Sequence, residues 1–257
     1  MSQPKIMTVS AMAAIFATIF CVAGFHAPVA HAADCGITAS DLDQITAIQN
    51  DPSLDASDEI KQELAVRKQL VGVTIICAQQ EVQVLQTNLQ NVSVESDMRS
   101  LQSQMMGDLN ESDDFYNTEL TKLSVVGIAG TKAIAQEVLA WRANTFIPLN
   151  EDINDLVLWN QNQDLFNTAQ TRMTQTQQAV SYLEGVAPDA DLQSAFNAAQ
   201  SSFSTAQSEN AAAKASLLGN LSPNQTYALI KQSLASLSDT YDNFSTVSAL
   251  IKKNLPQ

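Results

Sequence analysis

The sequence predicts an all-α fold, an elongated bundle of long antiparallel helices arranged as helical hairpins with coiled-coil-like seams. Three observations predict it. Apolar residues recur at alternating spacings of three and four over long stretches, which is the phase of one helix face. No run alternates in the way a half-buried strand would. Beyond residue 32, proline occurs only at 52, 148, 188, 223 and 256, and the first four of these coincide with turn signals.

Residues 1–32 read as a signal peptide. One cation, Lys5, precedes an apolar stretch from Ile6 to Phe25, and Ala30-His31-Ala32 ends it with the small-x-small pattern cut before Ala33. The alternative is an uncleaved anchor, since the stretch is nearly long enough to span a bilayer. Later apolar stretches, Leu70–Ala78 and Leu123–Ala135, mix with charge and continue helical seams, so no stable span is expected after cleavage. The expected location is therefore outside the cytoplasm, periplasmic or extracellular. The remaining chain divides into an N-terminal helical region, 33–147, and a C-terminal hairpin region, 148–257, with one continuous bundle as the alternative.

Asn50-Asp51-Pro52 separates a short helix, 39–49, from a long one opened by Ser57 with acids in its first turn. The long helix carries Val71, Ile75, Ala78, Val82, Leu85, Leu89 and Val92 on one seam. A further helix is predicted from Glu95 to Leu123, loosened at Gly107. Two glycines, 127 and 130, interrupt it before a helix from Thr131 to Thr145. Phe146-Ile147-Pro148 is read as the end of that helix and the start of another, running to Leu183. Asp189 and Asp191 open the next, whose seam is Leu192, Phe196, Ala199, Phe203, Ala206, Asn210, Ala213 and Leu217. After the turn at 219–223 the last helix offers Tyr227, Ile230, Leu234, Leu237, Tyr241, Phe244, Ser248 and Ile251. A turn that short forces the final pair antiparallel.

Composition excludes several chemistries. Both histidines, His26 and His31, lie in the predicted leader, which removes Ser-His-Asp and Cys-His catalysis and imidazole-based zinc sites. No catalytic constellation remains, and an enzyme is not expected. Of the 13 cations only Lys5 lies in the leader, and none of the 27 acids does, so the chain beyond it is one unit more acidic than the formal −14. Such a balance disfavours nucleic acid and anionic lipid, and leaves divalent cations and basic partner surfaces open.

Cys21 falls in the leader, leaving Cys35 and Cys77. In an oxidising compartment two thiols most simply form one disulfide, tying the N-terminal arm to the bundle. Such a bond stabilises by roughly 4 kcal/mol in the chain-entropy model. The segment from Asp108 to Glu119 matches a twelve-residue calcium loop, with Asp108, Asn110, Ser112, Asp114 and Glu119 as oxygen ligands. Its sixth place is Asp113 rather than glycine, and a solvated helix face is the alternative; no other cofactor is expected. Trp141, Arg142 and Trp159 flank Pro148 and form a candidate contact patch, or else core. Glu151, Asp152 and Asp155 read as capping charges at a helix start.

The stretch 131–172, with Ile134-Ala135, Glu137, Trp141-Arg142, Ile147-Pro148, Leu158-Trp159, Gln161-Asn162-Gln163 and Thr171-Arg172, resembles uncharacterised exported helical proteins of bacteria. The resemblance implies a bacterial origin and an all-helical fold, and no activity. The expected function is a structural, scaffolding or adhesion-type role at the cell envelope, through protein partners or self-association. The alternatives are a periplasmic binding or chaperone-like protein and a helical pore-forming or membrane-interacting protein.

Overall fold

Every described element is helical in the computed structural model, which describes residues 39–186, 188–219 and 223–254. The predicted leader, 1–32, and Cys35 lie outside the described residues. Helix α1 spans Ala39–Gln49 and α2 spans Ala56–Gln90. Between them Asp51 Oδ1 accepts from Ser53 N at 2.9 Å and Ser53 Oγ at 2.6 Å, a side-chain turn that holds the Asp51 carboxyl below its ordinary range. The cap of α2 is Asp55 rather than Ser57. Its Oδ1 accepts from Ser57 N and Asp58 N, both at 2.9 Å, and a carboxylate at this end also meets the helix dipole.

Helix α3 covers Arg99–Val125 and passes through Gly107 without a break. It runs antiparallel to α2, as the amide rungs show: Gln79 Nε2 donates to Asn117 Oδ1 at 2.8 Å and Gln86 Nε2 to Asn110 Oδ1 at 2.9 Å. Seven residues forward on α2 correspond to seven back on α3. Gln102 Nε2 closes the far end, donating to Leu89 O at 2.7 Å and Val92 O at 3.0 Å, where the end of α2 leaves carbonyls without helical partners.

Helix α4, Ile128–Trp141, does not stop before Pro148. It passes through a π-helical turn, Arg142–Phe146, into α5, Ile147–Val186. The expected break is replaced by a register change, in which Ile147 N donates to Arg142 O, five residues back. The widened turn relieves the clash of the proline ring with the carbonyl four residues earlier, and the missing Pro148 N–H falls where the α ladder is already shifted. The helical path from Ile128 to Val186 has a contour of about 90 Å at 1.5 Å per residue. The boundary expected at 147/148 therefore lies inside a continuous helical run.

Asp189 caps α6, Ala190–Leu218, accepting from Asp191 N at 2.9 Å and Leu192 N at 3.3 Å. Helix α7 spans Pro223–Asn254. Asn243 Nδ2 donates to Ser202 Oγ and Ser236 Oγ to Glu209 Oε2, again a matched antiparallel register. The α6 seam is buried as predicted, with Asn210 half-buried. The α7 seam is not. Its buried stripe is Thr226, Ile230, Ser233, Leu237, Thr240, Phe244 and Val247, while Tyr227 and Ser248 are exposed. Small hydroxyls occupy the close contacts because they satisfy themselves: Ser233 Oγ donates to Ile230 O, Thr240 Oγ1 to Ser236 O, and Thr226 pairs with Ser216 at 2.7 Å.

The core has two apolar clusters. One joins α2, α3, α4 and the first half of α5, through Leu85, Leu109, Tyr116, Phe146, Ile153 and Trp159, to the near ends of α6 and α7 at Ala213, Leu217 and Ile230. The other joins the second half of α5 to α6 and α7 through Phe166, Val180, Phe196, Phe203, Leu237 and Phe244. Helices α5, α6 and α7 contribute to both.

Candidate functional site

The α3 and α4 helices are joined only by Val126-Gly127, and their facing sides leave a solvent-open groove of about 690 Å³. From α3 it is lined by Glu111, Asp114, Phe115, Thr118, Glu119 and Lys122, and from α4 by Glu137, Ala140, Trp141, then Asn144 and Thr145 of the π turn. Both sets follow steps of three and four, so each is one face of its helix. Opposite that face, Leu109, Tyr116 and Leu123 hold α3 in the core, and Ile134 and Val138 hold α4.

The groove has an aromatic wall, with the Phe115 and Trp141 rings stacked at 4.4 Å and 12°. Glu119 is 2% exposed; its Oε1 accepts from Lys122 Nζ at 2.6 Å, and its Oε2 has no partner among the described residues. The Trp141 indole N–H is likewise buried without a partner among them. Glu119 holds the Lys122 ammonium above its ordinary range, chiefly through that hydrogen bond. Two residues that line the groove thus each bury one polar atom without a partner among the described residues, beside an acidic rim.

The predicted patch is dispersed. Trp141 faces the groove, but Arg142 Nη1 donates to Glu81 Oε2 on α2 at 2.7 Å, with its guanidinium 5.2 Å from the Phe146 ring centre. Burial pushes the adjacent Tyr116 phenol up, partly offset by the Arg142 charge. Trp159 is core, 1% exposed, with its indole N–H directed to Asn210 O at 3.4 Å and Lys214 Nζ 5.7 Å from its ring centre.

The predicted calcium loop is a correction. Residues 108–119 are α-helical throughout, so Asp108, Asn110, Ser112, Asp114 and Glu119 point around a cylinder instead of converging. Asn110 accepts from Gln86, Ser112 Oγ donates to Asp108 O at 3.0 Å, and only Asp114 and Glu119 reach the groove. Among the described residues no three acids or cysteines are grouped to hold a metal ion. Leu101, Met105, Leu109, Tyr116 and Leu123 are the reason: their burial keeps the helical phase through the polar segment.

Three carboxylates also differ from their expected place. Glu151, Asp152 and Asp155 do not cap a helix start, because α5 continues from the π turn. Asp155 is 5% exposed and its Oδ2 has no partner among the described residues. Burial pushes Asp155 up to about 7, helped by the charges of Asp152 and Glu151, and burial with Glu151 pushes Asp152 to about 6. Asp152 also lines a crevice of about 50 Å³ with Asp108, Gln104, Ser216 and Thr226.

Cys77 is buried on α2, and its expected partner Cys35 lies outside the described residues. Among the described residues no helix is long and apolar enough to cross a membrane. No protein-family model matches the chain, and no curated protein or solved structure matches it significantly.

Proposed function

We propose that this chain is an exported structural or scaffolding protein of the cell envelope that acts by protein–protein contact, stapled by a Cys35–Cys77 disulfide. The α3–α4 groove carries the reading. It brings Glu119 of α3, with a buried unpartnered oxygen among the described residues, beside Trp141 of α4, and α4 runs on into α5, a support suited to holding a partner at a fixed position. The reading is non-enzymatic: no histidine follows residue 31, Asp152 faces a crevice of only about 50 Å³, and Asp155 is buried.

One observation favours the chaperone-like alternative: Val73, Ile76 and Val84 are exposed apolar side chains on one side of α2. The two readings separate by site-specific photo-crosslinking in intact cells, with the reactive side chain at Asn144, at Val84, or at Gln175 as a distant exposed control. Discrete adducts from position 144 support the scaffold reading. A heterogeneous ladder from position 84 supports the chaperone reading, and adducts from none of the three defeat both.

A further inference from the structure

We propose that the α3–α4 groove binds a basic side chain, arginine or lysine, presented by a partner polypeptide; this rests on the protein-contact reading and names its chemistry. Glu119 supplies the first argument. A carboxylate 2% exposed with one oxygen unpartnered needs a second charge-assisted donor to offset its lost hydration. Lys122, half exposed, already sits on the other oxygen, so the chain's own cation marks the kind of group the position accepts. Glu111, Asp114 and Glu137 add negative charge at the rim, where it steers a cation inward.

The Phe115–Trp141 stack supplies the second argument, because the face of such a wall attracts a guanidinium or ammonium. The third decides for a polypeptide over a free polyamine. The buried Trp141 N–H needs an acceptor, and a peptide carbonyl provides one beside its own basic side chain, whereas a polyamine has none. Lys122 competes for the same carboxylate, because its ammonium already holds Glu119 Oε1.

The test is calorimetric titration of the mature protein with blocked Gly-Arg-Gly-Arg-Gly, its citrulline counterpart and spermidine. The arginine peptide is expected to saturate and the citrulline peptide to show no binding. Glu119→Gln and Trp141→Phe are each expected to weaken binding about tenfold, as for loss of a charged or buried hydrogen bond. Lys122→Met is expected to tighten binding, and Lys132→Met, an equal charge change on an exposed α4 position outside the groove, to leave it unchanged. Circular dichroism verifies that each variant is folded.

Equal gains from Lys122→Met and Lys132→Met would reduce the effect to net charge and overturn the proposal. So would spermidine binding as tightly as the peptide, or no saturable peptide binding to the folded protein. If the peptide fails while crosslinks from position 144 persist, the contact reading stands and this inference falls. If the crosslinks are also absent, both fall.

Discussion

Gln163 on α5 and Asn210 on α6 exchange amide hydrogen bonds: Gln163 Nε2 donates to Asn210 Oδ1 at 3.3 Å, and Asn210 Nδ2 donates to Gln163 Oε1 at 3.1 Å. The pair sits where the two apolar clusters meet along α5, just beyond Trp159 of the first and before Phe166 of the second. A half-buried reciprocal amide pair is satisfied in one register only, so it fixes how α6 slides against α5.

Asn210→Ala is therefore expected to cost about 1 kcal/mol, because it strands the Gln163 amide oxygen while Nε2 keeps Trp159 O at 2.7 Å. Replacing both residues by leucine removes the stranded group and should recover most of that loss. Urea unfolding of the two single variants and the double variant measures the coupling. Simple additivity would show that the amides do not act as a unit.

The Arg142–Glu81 pair ties the π turn to α2, with Glu81 6% exposed and Arg142 20%. Removing one member of a buried pair leaves the other charge uncompensated, so Glu81→Gln is expected to cost about 3 kcal/mol. Lys61→Ala breaks the exposed Lys61–Asp58 pair and should stay within about 0.5 kcal/mol. Chemical denaturation of both variants checks the contrast.

Two glycines predict opposite signs. Gly107 lies exposed inside α3, and an added Cβ meets nothing within 4 Å. Gly107→Ala should stabilise by about 0.5–1 kcal/mol through helix propensity. At Gly130 the same Cβ would stand 2.6 Å from Val126 Cβ, in the fold-back that joins α3 to α4. Gly130→Ala should cost about 1–3 kcal/mol and alter the Phe115–Trp141 stack, read as a change in tryptophan fluorescence.

The architecture was legible where packing follows hydrophobicity. The seams of α2 and α6 read directly from Ile75 to Leu89 and from Leu192 to Leu217, because every buried position there except Glu81 is apolar or small. The α7 stripe was legible only at Ile230, Leu237 and Phe244, since Thr226, Ser233 and Thr240 are buried hydroxyls bonded within or between helices, and no transfer scale places them inside. The π turn escaped for a different reason. Pro148 breaks an α ladder, but nothing local announces that a one-residue register change will absorb it. That single error moved Glu151, Asp152 and Asp155 to a helix start and hid the burial of Asp155 and the half-burial of Asp152. At the groove, Trp141 was found by residue type. Phe115 and Glu119 were not connected to it, because their meeting depends on the angle at Val126-Gly127.

Those carboxylates give the protein a pH dependence of definite sign. Burial, then the neighbouring charges of Asp152 and Glu151, raises Asp155 from the ordinary 3.8 to about 7. A raised carboxyl means that the folded chain holds more protons than the unfolded chain between those values. Its contribution to stability is full below pH 3.8 and is lost as pH rises towards 7. Asp152, raised to about 6, acts in the same direction over the lower part of that window. Asp51, Asp97 and Asp189 are shifted downward by their hydrogen bonds, so their opposing contribution falls below pH 3.8 and does not mask the effect. The thermal midpoint should therefore drop by several degrees between pH 5 and pH 8. Asp155→Asn keeps the shape of the side chain and removes its titration, so it should flatten most of that slope and raise the midpoint at pH 8. An unchanged slope in Asp155→Asn would place the linked proton on another group.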